Sequence, residues 1–217
     1  MLAPHLPPLP TRFKSLPVDP RGYPVPKFVA QIDGRWDFRV IRPGWVEDCY
    51  KRRRCWLCGE TLGRSAAFVI GPMCCVNRVT SEPPSHYECA EYATRSCPFM
   101  MFPNRKRDGA NLPEDASVAG THLDRNPGVT CIWITRNGYR PFKAGAGYLF
   151  KIGAPDRCEW RREGRAATRD EVLASIESGF PFLRELADKE GPRAVEALMR
   201  LRGEALTNYM PGERLAA

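Results

Sequence analysis

Two pairs of metal-ligand residue types stand in the first half of the chain. Cys55-Trp56-Leu57-Cys58-Gly59 is followed, after 27 intervening residues, by His86-Tyr87-Glu88-Cys89. Three thiols and one imidazole in two x-x spaced pairs match what a tetrahedral Zn2+ site requires. In Cys-x-x-Cys-Gly a tight turn brings both sulfurs to one metal, and the glycine accepts the positive φ that such turns often demand. His-x-x-Cys suits the first turn of a helix, where side chains three apart share a face. Four protein ligands leave no open position for water or substrate, so the chemistry expected is structural, with Zn2+ as the cofactor. Of the other cysteines, Cys74 and Cys75 are the alternative ligands, and Cys97 reads as a small packed hydrophobe. Cys49, Cys131 and Cys158 stand alone and take the same reading. The nine cysteines form no even framework, which fits a reducing, cytoplasmic setting.

The segment between the pairs must position them. Ala66-Ala67-Phe68-Val69-Ile70 reads as a strand, Gly71-Pro72 as a breaker, and Met73-Cys74-Cys75-Val76-Asn77-Arg78-Val79 as a second strand, so a hairpin is expected. One of Cys74 and Cys75 would then face inward and one outward. Tyr87-Glu88-Cys89-Ala90-Glu91-Tyr92-Ala93 has helical composition. Knuckle, hairpin, then a helix bearing the last two ligands: over roughly residues 50–100 that order resembles the treble-clef zinc fingers. Upstream, residues 21–29 and 33–40 read as two strands joined through Asp33-Gly34, a dipeptide favoured in hairpin turns. Trp36, Phe38 and Val40 alternate with Asp37 and Arg39, so one face should pack on the zinc hairpin.

The formal charge of +8 is unevenly placed. Residues 1–110 hold 17 Lys and Arg against 10 Asp and Glu, whereas residues 111–217 hold 16 against 15. Lys51, Arg52, Arg53 and Arg54 precede the knuckle, and Arg105, Lys106 and Arg107 follow the ligand helix. Grouped cations attract phosphate backbones, so these seven residues are the candidate nucleic-acid contacts. No RRM, KH or Cys2His2 pattern accompanies them, which gives base-specific readout no support. No apolar run of about 18 residues is present to cross a bilayer, so no membrane partner is expected. The proline-rich start lacks a basic n-region and an apolar h-region, and reads as an extended arm along its own domain.

Residues 103–128 combine charge with turn residues and read as a linker; His122 within it reads as a solvated loop histidine. Beyond it, strands are expected over 129–135, 139–143, 148–152 and near 158–161, with Asn137-Gly138 as a hairpin turn. Ala144-Gly145-Ala146-Gly147 lacks a following Gly-Lys-Ser/Thr and is a turn rather than a phosphate loop. Arg161, Arg162 and Arg165 could meet an anion at the next helix N-terminus. Thr168 and Glu171 form a capping box, and apolar residues from Val172 to Ala187 follow at helical spacing, with a kink or restart expected near 179–181. Gly191-Pro192 opens another helix carrying Val195, Leu198, Met199 and Leu206 on one face.

The fold class is therefore α+β: a treble-clef-like zinc module with short β-hairpins, followed by a small antiparallel sheet and C-terminal helices. Four regions result: an arm at 1–17, a zinc-binding domain at 18–102, the linker at 103–128, and a sheet-plus-helix region at 129–217. The strings at residues 21–26, 55–63, 68–74 and 82–90 together resemble an uncharacterised family of hypothetical proteins from bacteria and their phages. That resemblance implies a small accessory protein that binds nucleic acid or binds and blocks a host protein. With no Ser/His/Asp set, no His-Asn-His spacing and three histidines in all, no catalytic residue is assigned and the balance lies against an enzyme. Nucleic acid is the leading partner and a protein partner the alternative.

Overall fold

Proline placement decides where the first strand begins. The structure, a computed structural model, describes residues 1–102, 112, 120, 125–145 and 147–212. The strand expected over 21–29 starts only at its last residue, because Pro24 and Pro26 lack the N–H that a ladder needs. The proline-rich arm lies along its own fold: Ala3 N–H donates to the Gly22 carbonyl at 3.0 Å, and Phe13 and Leu16 are buried. β1 (Val29–Ile32) pairs antiparallel with β2 (Arg35–Ile41) through Asp33 and Gly34, both at positive φ (49° and 74°), the turn expected of Asp-Gly. Val40 is buried while Trp36 and Phe38 are half-buried. A short helix absent from the sequence expectations, α1 (Trp45–Lys51), leads into the knuckle.

β3 (Ala66–Ile70) forms as expected, but Met73 to Val79 does not return beside it. Pro72 instead stands at the start of a helix, α2 (Pro72–Asn77), where its missing N–H has no partner to lose and its fixed φ fits. Arg78, at φ 58°, ends that helix before β4 (Val79–Thr80). Cys74 and Cys75 therefore sit on a helix, Cys75 buried and Cys74 half-buried. Beside β3 stands instead a residue outside the expected hairpin: Ala67 and Ser85 exchange both backbone hydrogen bonds, at 2.9 and 2.7 Å. α3 (Tyr87–Ser96) and the short α4 (Pro98–Met101) complete this part.

β5 (Thr130–Thr135) follows, and Asn137-Gly138 turns the chain with Gly138 at φ 78°. This is not the expected hairpin, because β6 (Tyr139–Ala144) belongs to a different sheet and pairs with β7 (Gly147–Ile152). Gly145, at φ 58°, begins the turn between those two; Ala146 lies outside the described residues. β8 (Arg157–Arg162) and β9 (Arg165–Ala166) precede two helices, α5 (Arg169–Glu190) and α6 (Pro192–Asn208). α5 runs through Pro181 as one element, without the expected restart. The close seat of α5 on α2 holds it there: a Cβ on Gly179 would stand 2.9 Å from Met73 Sδ. Leu173 and Met199, expected in the apolar stripes, are exposed. No helix among the described residues is long and apolar enough to cross a membrane.

The described residues form an α+β arrangement with three small antiparallel sheets, ordered β1-β2, β3-β5-β8-β9 and β4-β7-β6, and C-terminal helices. β3 pairs with β5 over five residues and β4 with β7, so strands on either side of residues 103–128 share two sheets. β5 is buried on both faces. Cys131 and Trp133 join Phe68, Ile70, Val172 and Ile176 in the core beneath the helices. Ile132 and Ile134 face the other way, toward Ala67 and Ala90 of α3. Burying each such side chain contributes about 1.5–3 kcal/mol, and this second layer seats the helix that carries His86 and Cys89.

At the start of α5 the capping box is present: Thr168 Oγ1 accepts from Glu171 N–H at 3.2 Å, and the Glu171 carboxylate accepts from Thr168 N–H at 2.9 Å. Arg165 hydrogen-bonds the same carboxylate and, with that backbone bond, holds it at about 2, below its ordinary 4.5. We expect Thr168→Ala to cost about 1 kcal/mol in chemical denaturation. The contribution of Glu171 is full above pH 4.5 and is lost as pH falls toward 2; an Arg165→Ala variant should show a weaker acid-side decline.

Candidate metal centre

The knuckle folds because its backbone closes on itself. Cys55 N–H donates to the Glu60 carbonyl at 2.8 Å, Gly59 N–H to the Cys55 carbonyl at 3.0 Å, and Arg54 bridges Thr61. Gly59 sits at φ 80°, and a Cβ there would meet Lys27 Cγ at 3.0 Å and the Trp45 ring at 3.3 Å, so glycine is required twice over. Around this turn Trp45, Trp56, Leu57, Leu62 and Tyr92 are buried, and Phe28 stacks on Trp56 with ring centroids 4.7 Å apart. The β1-β2 hairpin therefore meets the knuckle through the residue before it, rather than the hairpin partner that was expected. Trp56 N–H reaches the Pro84 carbonyl at 2.9 Å and ties the knuckle to the segment that starts the ligand helix.

Cys55, Cys58, His86 and Cys89 converge, with ligand atoms all within 4.8 Å of one another. His86 Nδ1 lies 3.4 Å from Cys58 Sγ and 3.9 Å from Cys89 Sγ. Ligands about 2.0–2.3 Å from a tetrahedral zinc stand roughly 3.5–3.8 Å apart, so the spacing fits that ion. His86 Nε2 lies 3.1 Å from the Thr61 carbonyl, to which it can donate, and that tautomer would leave Nδ1 free to hold a metal. Cys55 and Cys89 are fully buried, and Cys58 nearly so.

The four groups titrate together. Hydrogen bonds from Cys58 and Cys89 draw the Cys55 thiol far down; the bond to Cys55 pushes Cys58 up to about 11 and Cys89 higher still. His86 is raised through its bond to Cys55. A divalent cation held there would let all three thiols ionise at neutral pH, because coordination deprotonates a thiol outright.

Other expected participants are placed elsewhere. None of the nine cysteines is in a disulfide. Cys49 is wholly buried near Cys55, and burial raises its thiol. Cys75, Cys131 and Cys158 lie together in the main core, where Cys131 hydrogen-bonds both of the others. Cys97 caps the start of α4. Lys51, Arg52 and Arg53 are exposed and Arg54 is half-buried. Arg53 donates to the Gly63 carbonyl at 2.8 Å and Arg54 to the Gly59 carbonyl at 2.9 Å, so the run is built onto the knuckle. Arg105, Lys106, Arg107 and His122 lie outside the described residues. Arg161 and Arg165 are paired with Glu159 and Glu171, and Arg162 lies beside Glu163 and Glu171; these carboxylates take up the charge that an anion at α5 would have met.

One contributor left no sequence motif. Arg12, in the arm, forms ion pairs with both Glu60, next to the knuckle, and Glu88, beside Cys89 on the ligand helix. Only the fold brings these three together; two carboxylates flanking the ligand pairs were the available cue.

We expect Cys58→Ser to abolish stoichiometric metal content, read by elemental analysis of the purified chain, and to unfold the knuckle and α3, because a structural site contributes folding free energy directly. Cys158→Ser, in the other thiol group, should keep the metal. A Cys58→Ser chain that stays folded and metal-replete would show that the ligand set is wrong.

Compared with known protein families, curated proteins and solved structures, the chain finds no match.

Proposed function

We propose that this is a zinc-stabilised accessory protein that binds nucleic acid through the phosphate backbone, using the cations at the end of α1. The bound ion is Zn2+, the ion favoured by three thiolates and one imidazole in a closed tetrahedral set. The unit is treble-clef-like in its knuckle and ligand helix, with α2 in place of the second strand of the connecting hairpin. A bacterial or phage origin follows from the resemblance carried by residues 21–26, 55–63, 68–74 and 82–90.

The observation that carries the reading is how Lys51 to Arg54 are held. Arg53 and Arg54 are fixed by carbonyl oxygens of the knuckle, which orient a guanidinium without cancelling its charge. Arg52 has an i,i+4 contact of 3.5 Å with Asp48 on the solvent-exposed side, and Lys51 lies over the Tyr50 ring at 5.8 Å. Exposed pairs of that kind are worth little and are readily exchanged for phosphate. The backbone is thus read as charge, by cations preset on a rigid, metal-held turn, with no base-reading element in support. Four protein ligands would fill a tetrahedral ion, and the carboxylates beside them, Glu60 and Glu88, are paired with Arg12, which supports a structural centre and a binding role.

Binding of the metal-loaded chain to generic DNA and RNA across a salt series tests this. Affinity should fall linearly in log–log form, with a slope of about −2 to −4 for the few phosphates this run reaches. Arg52→Glu combined with Arg53→Glu should weaken binding to all sequences alike and flatten the slope. Absence of binding at about 50 mM salt would overturn the reading and favour a protein partner.

A further inference from the structure

The outer face of the sheet β4-β7-β6 carries a pair of cations with no carboxylate partner among the described residues. Side chains alternate along these strands, and Thr80, Phe150 and Ile152 turn inward and are buried. Arg140, Phe142 and Lys151 point the other way, and all three are exposed. Arg140 stands directly opposite Lys151 on the neighbouring strand. Like charges facing each other across a strand pair are destabilising, and elsewhere this chain offsets its arginines, as with Arg161 and Glu159. Among the described residues, neither Arg140 nor Lys151 has a carboxylate partner or a side-chain hydrogen bond.

Phe142 lies two residues from Arg140 on the same face and edge strand, and is 39% exposed. A large aromatic ring in water beside two uncompensated cations has a cost in the isolated chain that a suitable ligand relieves. The ligand must be anionic at intervals and must offer a flat π-face between its charges. At the far end of the same hairpin, Tyr148, on the inner face with Phe150, lies 5.1 Å from Tyr50, the neighbour of Lys51, so the basic run of α1 meets this sheet from its other face.

We propose that the β6–β7 face is a platform for single-stranded nucleic acid, with a base stacked on Phe142 and flanking phosphates held by Arg140 and Lys151. A duplex hides its base faces within its own stack; a single strand presents both faces and backbone to such a surface. The proposal rests on the nucleic-acid reading above and narrows it to one substrate class.

The test uses the full, metal-loaded chain with fluorescent oligo-dT and oligo-U, longer than the ~4–16 nucleotides that such platforms span, and a duplex of equal length. Single strands should bind more tightly than the duplex. Phe142→Ala should lower single-strand affinity about 5- to 150-fold and leave duplex affinity unchanged, and Phe142→Trp should retain binding. Arg140→Gln with Lys151→Gln should reduce the salt slope on single strands by about 0.7 per cation. All three side chains are exposed, so the Phe142 variants should stay folded with a thermal midpoint near wild type, and the Arg140/Lys151 variant, relieved of the facing like charges, should keep or raise it. If the Phe142 and Arg140/Lys151 variants bind as wild type while the Arg52/Arg53 variant does not, the platform is wrong and the α1 contact stands. A wild-type chain that binds neither form overturns both.

Discussion

A strand that is apolar on both faces has to be covered on both, and β5 imposes that requirement on the rest of the chain. It lies between β3 and β8, with Cys131 and Trp133 on one side and Ile132 and Ile134 on the other. The first pair is covered by a layer built from α2, α5 and α6, which pack on one another. The second is covered by α3 through Ala90, a residue small enough to bring helix and sheet close. The direction of α3, and so the position of His86 and Cys89 relative to the knuckle, follows from apolar packing. Coordination chemistry then acts on ligands already delivered to one place.

Electrostatics around the centre is complementary to that packing. A divalent ion held by three thiolates would carry one net negative charge, buried with Cys55 and Cys89. The guanidinium of Arg54 lies beside this shell, bonded to the Gly59 carbonyl of the knuckle itself. Further out, among the described residues, the cations of 51–54 have one ion pair, between Arg52 and Asp48. The same short run thus offsets an inner anion at one end and offers charge to solvent at the other. Glu60 and Glu88, which would dilute this field, are occupied by Arg12.

What the sequence makes legible is what two to four consecutive residues determine. Asp33-Gly34, Cys55-x-x-Cys58-Gly59, the Thr168–Glu171 box and Gly191-Pro192 each state their geometry locally and are found as read. Met73-Cys74-Cys75-Val76 is different: a four-residue apolar run has no period by which to tell helix from strand. Pro72 ahead of it was the cue, since proline at the first position favours a helix start. The partner of β3 was beyond local reach, because β5 lies some sixty residues downstream. Asn137-Gly138 likewise gives a turn, while the sheets that the two flanking strands join are decided by distant side chains. Leu173 and Met199 fit the helical period but fall at its edge, where solvent competes with the core.

The chain order of these parts has a consequence for how the molecule is made. All four ligands precede Thr130, so during synthesis the knuckle and α3 leave the ribosome before the strand that seats them. Until Ile132 and Ile134 emerge, the Ala67–Ala90 surface has nothing to close on. An ion gathered early would hold that surface in the arrangement β5 needs, and would keep its bare edge from pairing with another nascent chain. The centre, if filled at that stage, would bridge the interval between a ligand set that is complete early and a core that is complete late.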